Sequence, residues 1–333
     1  MQGRIRTHHI TSTAVARGCF GLPSQRQLCV YEPPGYTEAN ALPCVVLLPA
    51  FGRGHGECFF GQPWKPSPIE RLDALIASDA VPPVLACAVD TWTPFGGSQF
   101  VDSPIFGDFQ QLLADELPAF LRKHWNVRPG AGALALMGAS SGGFGVLRML
   151  LDRPGVYAVA AAHAPDGAFD MSLRPLLLRA AQAVRRAGNL ETLARRIAAR
   201  GPEDQLAFEA AIVLACLAAY TSTPSAAWPH FEMPCSLETG QVNEAAWREI
   251  CSADPLRRLA DRGGDVADVK FLYLDAGTED EFGLNYATEA FYRAMVHGPE
   301  VVFEPFAGGH RGLSARYAHS LPLVAQRLWD SGS

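Results

Sequence analysis

Ser140 stands in the middle of Gly138-Ala139-Ser140-Ser141-Gly142, a G-x-S-x-G pattern with apolar residues before and after it. A serine hydroxyl is a weak nucleophile until a neighbouring base takes its proton. Placed on a tight turn between a strand and a helix, its oxygen is lifted clear of the strand end. Side chains two residues to either side collide across such a turn, which is a reason for Gly138 and Gly142. Gly143 lets the following helix pack close. The N–H of Ser141, at the helix start, then faces the point where negative charge builds on an attacked carbonyl oxygen.

A serine of this kind needs an acid and then a histidine, in that chain order. The apolar run VKFLYLD (269–275) is followed by AGTEDEFG, a loop rich in acids. The next run, VVFEPF (301–306), is followed by AGGHRG, which puts His310 on a glycine-rich loop. Asp280 fits the role of holding the His310 imidazole, which takes the proton from Ser140 and returns it to the leaving group. Asp275, Glu279 and Glu281 compete with Asp280 for that role. A second oxyanion donor is expected from the loop after PCVVLLP (43–49), where Phe51 and Gly52 are the candidates. Each corner alone has a plainer reading, as a glycine-rich turn, a solvated loop histidine or a surface turn. Three corners in the required order argue for nucleophilic catalysis.

The elements that must carry these loops are legible as short apolar runs at 27–33, 43–49, 83–90, 132–138, 156–162, 269–275 and 301–306. They lack in/out alternation, as strands covered on both faces do. Helical patterns at 107–125, 141–152, 284–296 and 313–329 lie between the later ones. The alternation predicts an α/β fold with a mostly parallel sheet flanked by helices, and an antiparallel edge at the start, where there is no room for a helix. Residues 167–254 break this rhythm with helix-like segments at 174–187, 190–200 and 203–220. The last is apolar nearly all round and must be covered. The expected organisation is a core of 1–166 and 255–333 with a helical cap insertion at 167–254.

Such an insertion lies over the carboxyl ends of the strands, where ligands bind in open α/β sheets. Trp228, Phe231 and Met233 in its Pro-rich loop are candidates for walling a substrate pocket, or else for packing the cap onto the core. His163 and Asp166, after the preceding run, are candidates to reach the same pocket. The stretch 174–200 holds seven arginines against one acidic residue, which reads as a solvated helix face or as an attractor of anionic substrates.

The chain has 333 residues, 48% of them hydrophobic and 19% charged, with a net charge of −6. That balance excludes a basic nucleic-acid footprint. The N-terminal segment MQGRIRTHHITSTAVARG has no apolar h-region of a signal peptide, and the longest uncharged stretches (129–147 and 210–231) are broken by Gly, Ser, Thr or Pro. The eight cysteines include no C-x-x-C pair, so the expectation is reduced, buried thiols in a cytoplasmic protein without a metal.

Outside the insertion the chain resembles the putative esterase family of α/β-hydrolases, the group with esterase D, S-formylglutathione hydrolase and enterochelin-esterase-like proteins. The resemblance lies in VYEPPGY (30–36) with LPCVVLLPAFG, DSPIFGDFQQLLADELPAFL (102–121), GASSGGFG, LDAGTEDEF and GGH. It implies the α/β-hydrolase fold and places the acid on Asp280. Pro49-Ala50-Phe51-Gly52 departs from the frequent His-Gly pair of the oxyanion loop, and Ala139 stands where His is common. The function these residues imply is hydrolysis of a small-molecule carboxylic ester through an acyl-enzyme on Ser140, with no cofactor and no nucleic-acid or membrane partner; a homodimer is compatible with the sequence. Acyl transfer or thioester hydrolysis on the same triad, and a non-catalytic binding protein on a hydrolase fold, are the alternatives.

Overall fold

Eight strands form one sheet in the computed structural model, which describes residues 1–266 and 268–331. They are β1 Arg4–Thr11, β2 Gln25–Glu32, β3 Cys44–Leu48, β4 Leu85–Val89, β5 Leu134–Ala139, β6 Val159–His163, β7 Phe271–Asp275 and β8 Glu300–Phe303. Their order across the sheet is β1-β2-β4-β3-β5-β6-β7-β8. β1 and β2 run antiparallel to their neighbours, and all other pairs are parallel. Every residue of β3 to β7 is buried, which is why their sequences run apolar without alternation. The expected antiparallel edge is present, but β1 was not foreseen. Its sequence RIRTHHIT is that of an exposed edge strand, polar enough to resist pairing with another chain.

Two apolar layers cover the sheet. Helices α1 (Pro68–Ala77) and, at the C-terminus, α10 (Tyr317–Asp330) cover one face; α2 (Leu117–His124) and α3 (Ser141–Asp152) cover the other. The predicted helix over 107–125 is interrupted by a π turn at Leu112–Glu116, ahead of α2.

Between β6 and β7 lie α4 (Arg174–Ala187), α5 (Leu190–Arg200), α6 (Gln205–Tyr220), α7 (Glu244–Cys251) and α8 (Pro255–Asp261). Asn189, Asp204 and Asn243 cap α5, α6 and α7 with side-chain oxygens, each satisfying N–H groups that a helix start leaves free. The core-facing sides of α4 to α7 join the same apolar cluster as α2 and α3, and α6 is buried over most of its length. One carboxylate ties the two ends of this segment together. Asp254 accepts the N–H groups of Ala168 (3.0 Å) and Phe169 (2.8 Å) while capping α8 through Leu256. After β7 the chain forms α9 (Leu284–Ala294) before β8.

All eight thiols are free, seven of them buried and Cys19 exposed. No helix among the described residues is long and apolar enough to cross a membrane.

Candidate active site

Ser140 joins β5 to α3 at φ 56° and ψ −124°, a backbone conformation that costs a residue with a side chain about 1–3 kcal/mol. Its N–H donates to the His163 carbonyl at 2.8 Å. The flanking glycines are required by close approach. A Cβ on Gly138 would stand 2.4 Å from the Gly142 carbonyl carbon, and one on Gly142 would stand 2.5 Å from the Leu48 oxygen.

The loops after β7 and β8 meet this serine. His310 Nε2 lies 3.1 Å from Ser140 Oγ, and His310 Nδ1 lies 2.8 Å from Asp280 Oδ2. A carboxylate only accepts, so Nδ1 carries the proton and Nε2 is free to accept the serine O–H. Asp280 is fixed in turn: its Oδ1 accepts the N–H groups of Phe282 (3.0 Å) and Leu284 (3.3 Å), and its side chain is sealed from solvent. The imidazole keeps 18% of its surface open. Burial disfavours its charged form. The bond to Asp280 and the charges of Asp280, Asp166 and Glu281 outweigh this and lift the His310 pKa above its ordinary value.

Glu281, a competing acid in the sequence, holds the histidine loop instead. Its carboxylate accepts the His310 main-chain N–H at 2.7 Å, and that bond keeps it below the usual carboxylate range. The Phe282 ring meets the imidazole edge-on at 5.0 Å. Neither role was foreseen, because both depend on how the loop folds back.

For the oxyanion donors, the Ser141 N–H opens the first turn of α3, where helix amides have no internal partner. The Gly52 N–H donates to the Gly96 carbonyl at 2.9 Å, so this candidate is spent on the loop itself. Among the described residues the Phe51 N–H has no main-chain acceptor. The Phe51 ring packs against Phe208 of α6 at 5.6 Å.

Two expectations need correction. His163 does not reach the pocket: it is fully buried, its Nδ1 lies 2.9 Å from Asp275 Oδ1 and its Nε2 lies 3.0 Å from Ser320 Oγ. β-strand alternation turns it toward α10. Phe231 is only 5% exposed and packs edge-on against Phe95 at 6.0 Å, so it belongs to the core. Trp228 is half-buried, and its ring is covered by the Arg195 guanidinium at 4.3 Å. The arginine-rich stretch is likewise occupied. Arg174, Arg179, Arg186, Arg195 and Arg196 each pair with an acid of the same helical segment.

Asp275 holds the strand end, bonded by Tyr273 at 3.1 Å and Arg316 at 2.7 Å as well as by His163. Burial pushes its carboxyl up, but His163 and Arg316 hold it below the ordinary value. Asp166 is half-buried beside the triad, and burial raises its pKa to about 6.

A family model described as putative esterase matches residues 21–297. No curated protein sequence matches the chain. Similar solved structures include a ferulic acid esterase, 17% identical with a TM-score of 0.61 over 98% of this chain and 100% of that one. An S-formylglutathione hydrolase from Agrobacterium tumefaciens is 15% identical, with a TM-score of 0.56 over 98% and 96% of the two chains. A ferulic acid esterase from Anaeromyces mucronatus is 12% identical, with a TM-score of 0.54 over 97% and 90%. At these identities the likeness speaks for the fold, which is that of the α/β-hydrolases.

Proposed function

The chain belongs to the putative esterase family and is a carboxylic-ester hydrolase, and from that premise we propose that it is a serine esterase acting through an acyl-enzyme on Ser140. The observation that carries this reading is the hydrogen-bonded line from Ser140 Oγ to His310 at 3.1 Å and on to Asp280 at 2.8 Å, ending on a serine in a strained turn.

In the first step Ser140 Oγ bonds to the ester carbonyl carbon while its proton passes to His310 Nε2. The carbonyl oxygen becomes an oxyanion facing the N–H groups of Ser141 and Phe51. Asp280 stabilises the imidazolium and holds its tautomer without taking the proton. Collapse breaks the bond to the alcohol oxygen, which leaves with the proton from His310. Water, deprotonated by His310, then attacks the acyl-enzyme by the same route and releases the acid and Ser140.

Residues 167–254 act as a helical cap on a core of 1–166 and 255–333, with α6 reaching the oxyanion loop through Phe208 and Phe51. A fluorophosphonate probe tests the reading. The expected result is one adduct, on the peptide carrying Ser140, lost in Ser140→Ala together with turnover. An adduct that persists in Ser140→Ala would move the nucleophile elsewhere, with Ser141 examined first.

A further inference from the structure

β6 lies between β5, which leads to Ser140, and β7, which leads to Asp280. The loop that leaves it, residues 164–167, therefore emerges between two corners of the triad. This loop is held on both sides. The Ala164 N–H donates to the Asp275 carbonyl at 2.7 Å, and the N–H groups of Ala168 and Phe169 are held by Asp254. Pro165 is pressed against α3, so close that a Cβ on Gly143 would stand 3.0 Å from its Cα.

Asp166 is the member of this loop with a charge and nothing to receive it. Among the described residues no donor bonds its carboxylate. It lies within electrostatic range of His310 and Asp280, and of Cys216 and Tyr220 of α6. A half-buried carboxylate flanked by the triad and the cap has lost part of its hydration without gaining a protein partner, and that costs free energy until a donor arrives.

We propose that Asp166 is a specificity-determining residue that accepts a hydrogen bond from a hydroxyl or amino group of the substrate, so that the preferred substrates are esters carrying an O–H or N–H donor near the scissile carbonyl. This deepens the serine-esterase reading and rests on it. Burial raises its pKa to about 6, and in either protonation state a carboxyl oxygen can accept a hydrogen bond. A group built to take a donor discriminates against the analogue that lacks one, because the acceptor is then left desolvated and unpaired.

The test compares kcat/KM for esters that differ by one donor. On the acyl side these are 4-nitrophenyl butyrate and its 3-hydroxy and 3-amino counterparts; on the alcohol side, ethyl, 2-hydroxyethyl and 2-aminoethyl esters of one acid. The ratio between donor-bearing and plain ester is the readout. Loss of the Asp166 charge also acts on His310, but it acts on both esters alike and cancels. A preference of about 10- to 100-fold for a donor-bearing ester is expected in the wild-type enzyme. Asp166→Leu should bring the ratio near one. Asp166→Asn, close in shape, should keep part of a preference for hydroxyl and lose a preference for ammonium, which separates the two donor types. A ratio near one in the wild-type enzyme on both sides of the ester, or an unchanged ratio in both variants, overturns the proposal. Fluorophosphonate labelling of the same proteins keeps the two readings apart. A labelled Ser140 with no donor preference removes only the role of Asp166; an unlabelled Ser140 in the wild-type enzyme removes the serine-esterase reading beneath it.

Discussion

Two serine–histidine–aspartate arrays stand within one short stretch of this sheet. In one, Ser140, His310 and Asp280 are linked at 3.1 and 2.8 Å; in the other, Ser320, His163 and Asp275 are linked at 3.0 and 2.9 Å. Residue types, ring nitrogens and distances match, yet the two settings differ. Ser140 sits on a strained turn at φ 56° at the start of α3, while Ser320 lies inside α10 and is fully buried. The first imidazole keeps an open edge; the second has none. The acids differ as well. Asp280 is held by neutral N–H groups, so its charge is available to an imidazolium. Asp275 already shares its charge with Arg316. The difference teaches that a hydrogen-bonded triad is chemistry only where its oxygen meets an incoming carbonyl and its acid has no standing counter-ion. The sealed array serves the open one at one remove, since the His163 carbonyl holds the Ser140 N–H.

The largest effect that would break this comparison lies at the serines. Ser140→Ala should lower kcat by about a million-fold, the scale on which a triad nucleophile acts. Steady-state rates on an activated ester and circular dichroism, to show retained folding, measure it. A variant that folds and keeps more than a thousandth of the rate would show that Ser140 is not the nucleophile.

Next come the acids. Asp280→Asn should lower kcat by about ten-thousand-fold with little rise in KM, because the wrong histidine tautomer is then held. Asp275→Asn should invert the balance. It leaves Arg316 and His163 facing a neutral group in a sealed site, and loss of about 3–5 kcal/mol in chemical denaturation is expected, with a modest loss of rate. Equal rate losses in the two variants, at equal stability, would erase the distinction between the arrays.

The open array was legible in the sequence because its parts obey a chain-order rule. A glycine-flanked serine, an acidic loop and a glycine-rich histidine loop each follow an apolar run. The helices at 141–152, 174–187 and 190–200 were legible from their helical patterns. The sealed array was not, because Ser320 lies in an ordinary helical pattern and nothing local ties it to His163, 157 residues away. His163 was misread for the same reason: the end of a strand gives a side chain two possible sides, and only the packing of α10 decides between them. Gly52 was misread because a flexible glycine is as able to close its own loop as to serve a substrate. Whether Trp228 and Phe231 wall a pocket or pack onto the core was left open, because large aromatics in a loop do not declare which surface they cover.

The two arrays should also separate in their pH dependence. Protonated His310 cannot take the serine proton, so the rate falls as pH drops through its pKa. Because Asp280, Asp166 and Glu281 hold that pKa above the ordinary value, the acid limb of kcat/KM should lie above about pH 6.5. Asp166→Asn removes one of those charges and should move the limb to lower pH. The sealed array should show in stability. Asp275 is held below its unfolded pKa, so its contribution is present above about pH 4 and lost as pH falls through the lower, folded value. The stability gap between wild type and Asp275→Asn should therefore close in acid. A gap that stays constant down to pH 2 would mean that the ionised carboxylate is not what stabilises the fold there.

The smallest expected effect is the sharpest discriminator. Ser320→Ala removes the hydroxyl from the sealed array and leaves His163 Nε2 without its donor, in a place too tight for bulk solvent. A lost buried hydrogen bond of this kind costs about 1–2 kcal/mol. The imidazole remains fixed by Asp275 through Nδ1, so the His163 carbonyl should stay in position under Ser140. The rate should then fall by no more than a few-fold, and a fluorophosphonate should label Ser140 as fast as in the wild-type enzyme. If Ser320→Ala instead costs a hundred-fold in kcat at unchanged KM and little in stability, the two arrays are coupled through that carbonyl. The buried serine would then have to be counted as a positioning residue of the active site.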